Sequence, residues 1–247
     1  MDSQSADRKT DDRLPRYHRL RDALAQQIAQ KRWRPEEAIP TEAELAEEHG
    51  VSIGTVRKAI DSLVADRLLE RCQGKGTFVR RAQFNASLFR FFRFSRDNSE
   101  YRVPTSRILR REVSGPPPAV ASALRLPSNA EAIHLSRLRS IDSQPLLIES
   151  IWLPKHRFEP LLKIDPREFG DLLYPLYEQY CGVVVASAEE TLTAEIASAR
   201  HARALGLELG APLIVIDRLA LAYDHEPLEW RRSRGPADKF RYQVEIR

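Results

Sequence analysis

The chain of 247 residues is short of several things, and each shortage narrows what it can be. It has two cysteines, Cys72 and Cys181, far apart and without a CxxC pair. That excludes a disulfide framework and a zinc knuckle and leaves two free thiols. No apolar run approaches the ~18 residues of a membrane span. Met1 to Arg13 is polar and charged, without the apolar stretch of a secretory signal. A cytoplasmic protein with no membrane partner is expected. The histidines, His18, His49, His134, His156, His201 and His225, are scattered, and no GxSxG, HExxH or phosphate-binding loop occurs. No metal site, catalytic residue or cofactor is therefore expected.

What is present fits a globular protein with real cores: 42% hydrophobic and 30% charged residues, in a length suited to two ordinary domains. The net charge of +4 decides little, but its distribution decides more. Between Ser52 and Arg81 the basic residues Arg57, Lys58, Arg67, Arg71, Lys75, Arg80 and Arg81 outnumber Asp61, Asp66 and Glu70. Just upstream, Glu36, Glu37, Glu42, Glu44, Glu47 and Glu48 form an acidic block. A positive surface beside a negative one orients a small domain toward a polyanion.

Residues 1–12 read as a tail. Tyr17, Leu20, Leu24 and Ile28 then fall on one helical face, and Arg34-Pro35 ends that helix. Thr41 with Glu44 three residues on is a capping box for a short helix, Glu42 to Glu48, which His49-Gly50 stops. Ser52 caps a third helix with Val56, Ile60, Leu63 and Val64 inward, leaving Thr55, Arg57 and Lys58 outside that stripe. Leu68-Leu69 and Thr77-Phe78-Val79 flank the tip Gln73-Gly74-Lys75-Gly76 and read as a hairpin. The order is helix, helix, helix, hairpin.

A DNA-reading helix inserts its N-terminal end into the major groove, where bulk would hold it off. Ser52, Gly54 and Thr55 are small or hydrogen-bonding; Arg57 and Lys58 are placed to reach phosphate or a guanine edge. Gln73, Gly74, Lys75 and Gly76 give a tight turn with a basic tip, suited to the minor groove or the backbone. These are the candidate DNA-binding residues: Ser52, Thr55, Arg57, Lys58, Gln73, Gly74, Lys75 and Gly76.

Residues 15–80 resemble the DNA-binding domain of the GntR family. The resemblance rests on Pro15, Tyr17, Ile28, Pro40-Thr41-Glu42-x-Glu44-Leu45-Ala46, Val51-Ser52-x-x-Thr55-Val56-Arg57-x-Ala59, Leu63 and Gly74-x-Gly76-Thr77-Phe78-Val79. It implies a winged helix-turn-helix over residues 13–81. The family commonly has an arginine after the Val-Ser pair, where this chain has Ile53, so the family's usual half-site does not carry over.

Ala82 to Ser87 reads as a connection, with the linker set at 82–86. Beyond it strands mix with helices. Ile133 to Ile141 and Leu146 to Leu153 form one expected hairpin around Asp142-Ser143-Gln144-Pro145; Leu213 to Tyr223 and Leu228 to Arg232 form another around Asp224-His225-Glu226-Pro227. Arg137-Leu138 with Glu149, and Arg218-Leu219 with Glu229, repeat at an offset of 80 to 82, which hints at an internal duplication. Phe169 to Tyr180 and Ala194 to Leu207 read as helical. Leu88-Phe89-Arg90-Phe91-Phe92-Arg93-Phe94 reads as core or dimer seam in preference to an aromatic ligand wall.

Alternation places Ile133, Leu135, Arg137, Arg139 and Ile141 on one strand face. Guanidinium groups on an apolar face need an anion. Glu149 across the hairpin is one answer; a ligand phosphate or carboxylate is the other.

Residues 87–247 resemble the UTRA effector domain of the HutC-type branch of GntR regulators. The carrying residues are Pro104-Thr105-Ser106, Arg137-x-Arg139, Pro145, Glu149, Leu153-Pro154, Leu205-Gly206, Gly210-x-Pro212-Leu213, Arg218, Pro227-x-Glu229, Asp238 and Phe240. The resemblance implies an α+β protein: the winged domain plus a chorismate-lyase-like domain with a central antiparallel sheet flanked by helices. It further implies a homodimer on palindromic operator DNA, more often repressing than activating, and an effector pocket lined by Arg137, Arg139, Glu149 and Glu229. Gly235 and Pro236 depart from the family, where an aromatic and a basic residue are common. Two other classes stand beside it: a chorismate-lyase-like enzyme and a non-specific architectural DNA binder. Turnover of an aromatic acid would mark the first, sequence-insensitive affinity the second.

Overall fold

The computed structural model describes residues 15–81 and 104–240. The chain divides into two compact units, Met1–Arg81 and Ala82–Arg247. The tail at 1–12, the linker at 82–86 and the aromatic run Leu88–Phe94 lie outside the described residues.

In the first unit, α1 (Arg16–Ala29) buries Leu20, Leu24 and Ile28 of the expected stripe together with Ala25, while Tyr17 is only half-buried. α2 (Glu42–His49) starts at the expected capping box. Thr41 Oγ1 accepts from the Glu44 amide at 3.3 Å, and Glu44 Oε2 accepts from the Thr41 amide at 2.8 Å. A cap of this kind contributes about 1 kcal/mol. Gly50 ends the helix at φ 60, in the left-handed region that a side chain would oppose. α3 (Ile53–Ala65) follows two residues later, with Val56, Ala59, Ile60 and Leu63 buried. β1 (Leu69–Cys72) pairs antiparallel with β2 (Gly76–Val79). Glu36 and Ile39 amides donate to Val79 and Thr77 carbonyls at 2.7 and 2.9 Å, so the segment before α2 extends the hairpin. Leu68 and Leu69 anchor the wing to the helices at 0% and 1% exposure.

The second unit is built on an antiparallel sheet in the order β3-β4-β5-β8-β7-β6. Its strands are β3 (Thr105–Ser114), β4 (Ala132–Ile141), β5 (Gln144–Pro154), β6 (Ser187–Ile196), β7 (Pro212–Leu221) and β8 (Pro227–Pro236). The β4–β5 turn is tighter than expected: Asp142 and Ser143 both have positive φ, 49 and 63, as a two-residue hairpin of this handedness requires. One sheet face carries Ile133, Leu135, Ile151, Leu153, Ala220 and Ala222. It is covered by the segment 155–185, whose Phe158, Leu161, Phe169, Leu173, Leu176 and Tyr177 are buried against it. The other face carries α4 (Pro118–Ala123) over Ala132 and Trp152, and a helix at Ala199–Leu205 over Ile148 and Leu213.

The strand order is symmetric about the β5–β8 pair, and each half runs strand, helix, strand, strand. Arg125, just after α4, and Gly206, ending the helix at Ala199–Leu205, take matching left-handed conformations, φ 51 and 67. The topology thus repeats, but the residue pair that hinted at it does not: Arg137 lies opposite Glu149, whereas Arg218 lies opposite Arg231 and Glu229 opposite Ala220.

Four expectations change. α1 ends at Ala29 and not at Arg34-Pro35, because Lys31 takes a left-handed φ of 62 through which a helix cannot continue. Ala194 to Leu207 is not one helix: Ala194–Ile196 ends β6, and the helix covers only Ala199–Leu205. The Ala and Glu content of β6 favours helix, but ladder pairing with β7 along the whole strand overrides it. Phe169 to Tyr180 is helical only from Leu173, in a single turn at Leu173–Leu176 followed by a π-helical turn at Tyr177–Cys181. Pro175 allows a helix to start near it, but its ring and missing N–H prevent one from running through it from upstream. β8 continues past Arg232 to Pro236.

Candidate nucleic-acid interface and effector pocket

The N-terminal end of α3 and the wing tip are exposed, as a groove-reading element must be. Ser52 and Thr55 are bonded to each other: Ser52 Oγ lies 2.9 Å from Thr55 Oγ1 and accepts from the Thr55 amide at 3.2 Å. Arg57 Nε donates to Glu42 Oε2 at 2.9 Å, and Arg71 Nη2 donates to Glu42 Oε1 at 3.3 Å. Arg71 also pairs with Asp61 at 2.7 Å. Glu42 and Arg71 are not among the candidate residues read from the sequence; Glu42 holds the Arg57 guanidinium and is itself held by Arg71. Lys58 is exposed on the same helix. Gln73, Gly74, Lys75 and Gly76 are exposed at the wing tip, closed by the Lys75 amide donating to the Cys72 carbonyl at 3.0 Å. Gly74 and Gly76 have positive φ, 73 and 124, so the tip needs residues without a side chain.

In the second unit the strand register assembles a buried polar row. Arg137 lies opposite Glu149, Glu149 opposite Ser233, and Arg218 opposite Arg231. Arg137, Arg139, Glu149, Arg218, Glu229, Arg231 and Ser233 are all at 3% exposure or less. Arg137 Nε donates to Glu149 Oε2 at 2.5 Å, so the pairing across the hairpin exists. Ser233 Oγ donates to Glu149 Oε1 at 3.2 Å, and Arg231 Nη1 lies 3.6 Å from the same oxygen. Arg231 Nη2 donates to Glu229 at 2.7 Å. Tyr177 and Tyr174 hydroxyls donate to Glu229 at 2.6 and 3.3 Å. Arg218 Nε donates to Glu190 at 2.7 Å. Arg139 Nη2 donates to the Pro104 and Asp171 carbonyls at 3.1 and 3.3 Å.

The electrostatics follow from this crowding. Burial opposes ionisation of Glu149, but Arg137, Arg231 and Arg139 overcome it and hold the carboxyl down at about 2. Burial, then Arg137, pushes Arg139 down to about 9, which leaves it charged at neutral pH. Burial, then Glu229, pushes the Tyr177 hydroxyl well up, so it remains a protonated donor. Arg137 Nη1 and Arg231 Nε are buried with no hydrogen-bond partner. Among the described residues neither atom has an acceptor, and leaving a buried charged donor unsatisfied is costly.

The structure therefore brings Arg137, Arg139, Glu149 and Glu229 into one cluster and adds Arg231, Ser233, Arg218, Tyr174, Tyr177 and Glu190. The period-two alternation Glu229-x-Arg231-x-Ser233 is the available signal; Glu229 and Arg231 lie within the expected strand, and only Ser233 lies beyond its expected end at Arg232.

Two known sequence families cover the chain: "Bacterial regulatory proteins, gntR family" over residues 16–79 and "UTRA domain" over residues 99–241. The chain is 34% identical over 214 residues to the "Probable fructoselysine utilization operon transcriptional repressor" of Escherichia coli (strain K12), covering 86% of each.

The chain belongs to the GntR family of bacterial regulatory proteins and carries a UTRA domain.

It is also 27% identical to the HTH-type transcriptional repressor NagR of Bacillus subtilis (strain 168), covering 93% of each. The fold is that of the crystal structure of PhnF from Mycobacterium smegmatis: TM-score 0.54, 21% identity, covering 92% of this chain and 98% of that one. This GntR-family chain is a DNA-binding transcription regulator and not an enzyme. Among the described residues no helix is long and apolar enough to cross a membrane.

Proposed function

We propose that the chain is a repressor whose operator affinity is set by a small anionic metabolite bound at the Arg137 cluster. The observation that carries this is the unpartnered, buried Nη1 of Arg137 beside a second unpartnered guanidinium nitrogen, Nε of Arg231. An effector phosphate or carboxylate would accept from both, in the forked geometry guanidinium favours. Glu149 and Glu229 supply acceptors for hydroxyl or amino groups on the same molecule. Relatives are named for fructoselysine utilization and for mannosyl-D-glycerate transport and metabolism, which is consistent with a small metabolite as the signal.

The DNA-binding reading assigns α3 to the major groove through Ser52, Thr55, Arg57 and Lys58. Gln73 to Gly76 would meet the minor groove or the backbone. The chain would act as a homodimer on a palindromic operator in the cytoplasm, with residues 13–81 and 87–247 as its domains. The effector controls DNA only if it binds the operator-competent and incompetent arrangements unequally.

A thermal-shift screen of the full chain against sugar phosphates and small carboxylates tests this reading. A ligand at 100 times its dissociation constant stabilises the state it binds by about 2.7 kcal/mol. A hit that disappears in Arg137→Gln supports the assignment. A hit unaffected by Arg137→Gln and Arg139→Gln would place the ligand elsewhere.

A further inference from the structure

The first turn of α3 has one side chain that the DNA-binding reading leaves without a task. Ser52 and Thr55 hydroxyls engage each other, and Arg57 is held by Glu42. Gly54 contributes no side chain, and a Cβ there would meet only Ser52 Oγ, at 3.9 Å. Ile53, the first residue of the helix, is 48% exposed and is not part of the buried face Val56, Ala59, Ile60 and Leu63. It is an aliphatic group at the tip of a helix whose neighbours are polar or cationic.

Its position gives that group a meaning. The N-terminal residues of a recognition helix are the ones that reach base edges. An aliphatic side chain neither donates nor accepts a hydrogen bond, so it cannot read the donor and acceptor pattern of guanine, adenine or cytosine. Among the four bases, thymine alone offers an apolar feature in the major groove, its C5-methyl. Ile53 is β-branched, with one dominant rotamer in a helix, so it is stiff before contact and loses little freedom on making it. Gly54 beside it allows close approach. We infer that Ile53 is a specificity-determining residue that selects thymine in the operator by contact with its methyl group. This rests on the reading of α3 as the groove-inserted helix.

The test uses the full chain and a random-sequence duplex pool. Bound duplexes are enriched, and the consensus is resynthesised with deoxyuridine replacing each thymine in turn, which removes the methyl alone. Affinities are read by fluorescence anisotropy for the wild type and for Ile53→Ala, an exposed position where the fold does not depend on the side chain. At one thymine per half-site, the wild type should lose about four-fold on methyl removal, the worth of one buried methyl-sized group. Ile53→Ala should bind the thymine and deoxyuridine duplexes equally. Ile53→Arg should shift the enriched base at that position toward guanine. An enriched consensus whose every deoxyuridine substitution costs the wild type and Ile53→Ala the same overturns the proposal alone. A pool from which no consensus emerges overturns the reading of α3, and the proposal with it.

Discussion

Arg137 and Glu149 face each other across β4 and β5, with Nε donating to Oε2 at 2.5 Å and side-chain exposures of 1% and 0%. The pair also belongs to the cluster proposed to hold the effector, and Nη1 of the same guanidinium has no hydrogen-bond partner among the described residues. Breaking a buried pair by removing one member costs about 3–5 kcal/mol, because the remaining charge stays buried. Glu149→Ala should destabilise the second unit by that order. Urea unfolding followed by the fluorescence of Trp152 and Trp230 would report it. A loss under 1 kcal/mol would mean that water reaches the pair.

The same carboxyl sets a pH dependence. Glu149 lies at about 2 in the folded chain against an ordinary 4.5, so its ionised form is favoured by folding. Its contribution is complete above the ordinary value and is lost as pH falls from about 4.5 through 2. Stability of the second unit should drop across that window. Glu149→Gln should show a shallower drop there, because it has no proton to gain. Parallel curves for the two proteins would assign the acid sensitivity to other carboxylates.

Glu42 fixes Arg57 from the preceding helix, at 2.9 Å. Glu42→Ala removes that hold and a negative charge from the DNA-facing side. Binding to random duplex should tighten slightly, while preference for the selected operator should fall by roughly ten-fold, within the ~1–3 kcal/mol of a base contact. Anisotropy titrations against both duplexes would separate these effects. Arg57→Ala should lose the preference almost entirely; a variant that still footprints normally would show that α3 is docked in a different register.

The wing makes a different prediction. Lys75 sits at an exposed tip between two glycines that a side chain would strain. A contact to phosphate carries no sequence information. Lys75→Ala should weaken operator and random DNA alike and reduce the slope of log affinity against log salt by about one. A change in the enriched consensus would instead put Lys75 on a base edge.

Tyr177 donates to Glu229 from the segment that covers the sheet, at 2.6 Å. Removing a hydrogen bond to a buried charge costs about 1.5–3 kcal/mol. Tyr177→Phe should lower stability by that order, measured by the same urea unfolding. An unchanged midpoint would mean that Tyr174 and Arg231 satisfy Glu229 alone.

The first unit was legible almost residue by residue. Thr41 with Glu44, Gly50, Ser52 and the Gly74-x-Gly76 tip are local signals, and each does in the structure what its local chemistry dictates. The pocket was legible only in part. Arg137, Arg139 and Glu149 could be placed by alternation and one hairpin. Alternation puts Arg231 and Ser233 on the face of Glu229, but only the pairing of β5 with β8, a long-range contact, brings them to Glu149. Tyr174 and Tyr177 arrive from a segment whose path Pro175 makes irregular. β3 and β6 were missed because edge strands bury little and their polar faces carry a weak period. The Arg57–Glu42 contact was missed because charge balance counts residues without pairing them.

An anion held by Arg137 should alter DNA binding. The most direct measurement is operator affinity, by anisotropy, with and without a metabolite that hits in the thermal-shift screen, for the wild type and Arg137→Gln. In that variant Glu149 keeps Arg231 and Ser233 as partners. The account predicts that the metabolite changes wild-type operator affinity at least five-fold, the low end of allosteric coupling, while Arg137→Gln binds operator normally and ignores the metabolite. An equal response in both proteins would contradict it.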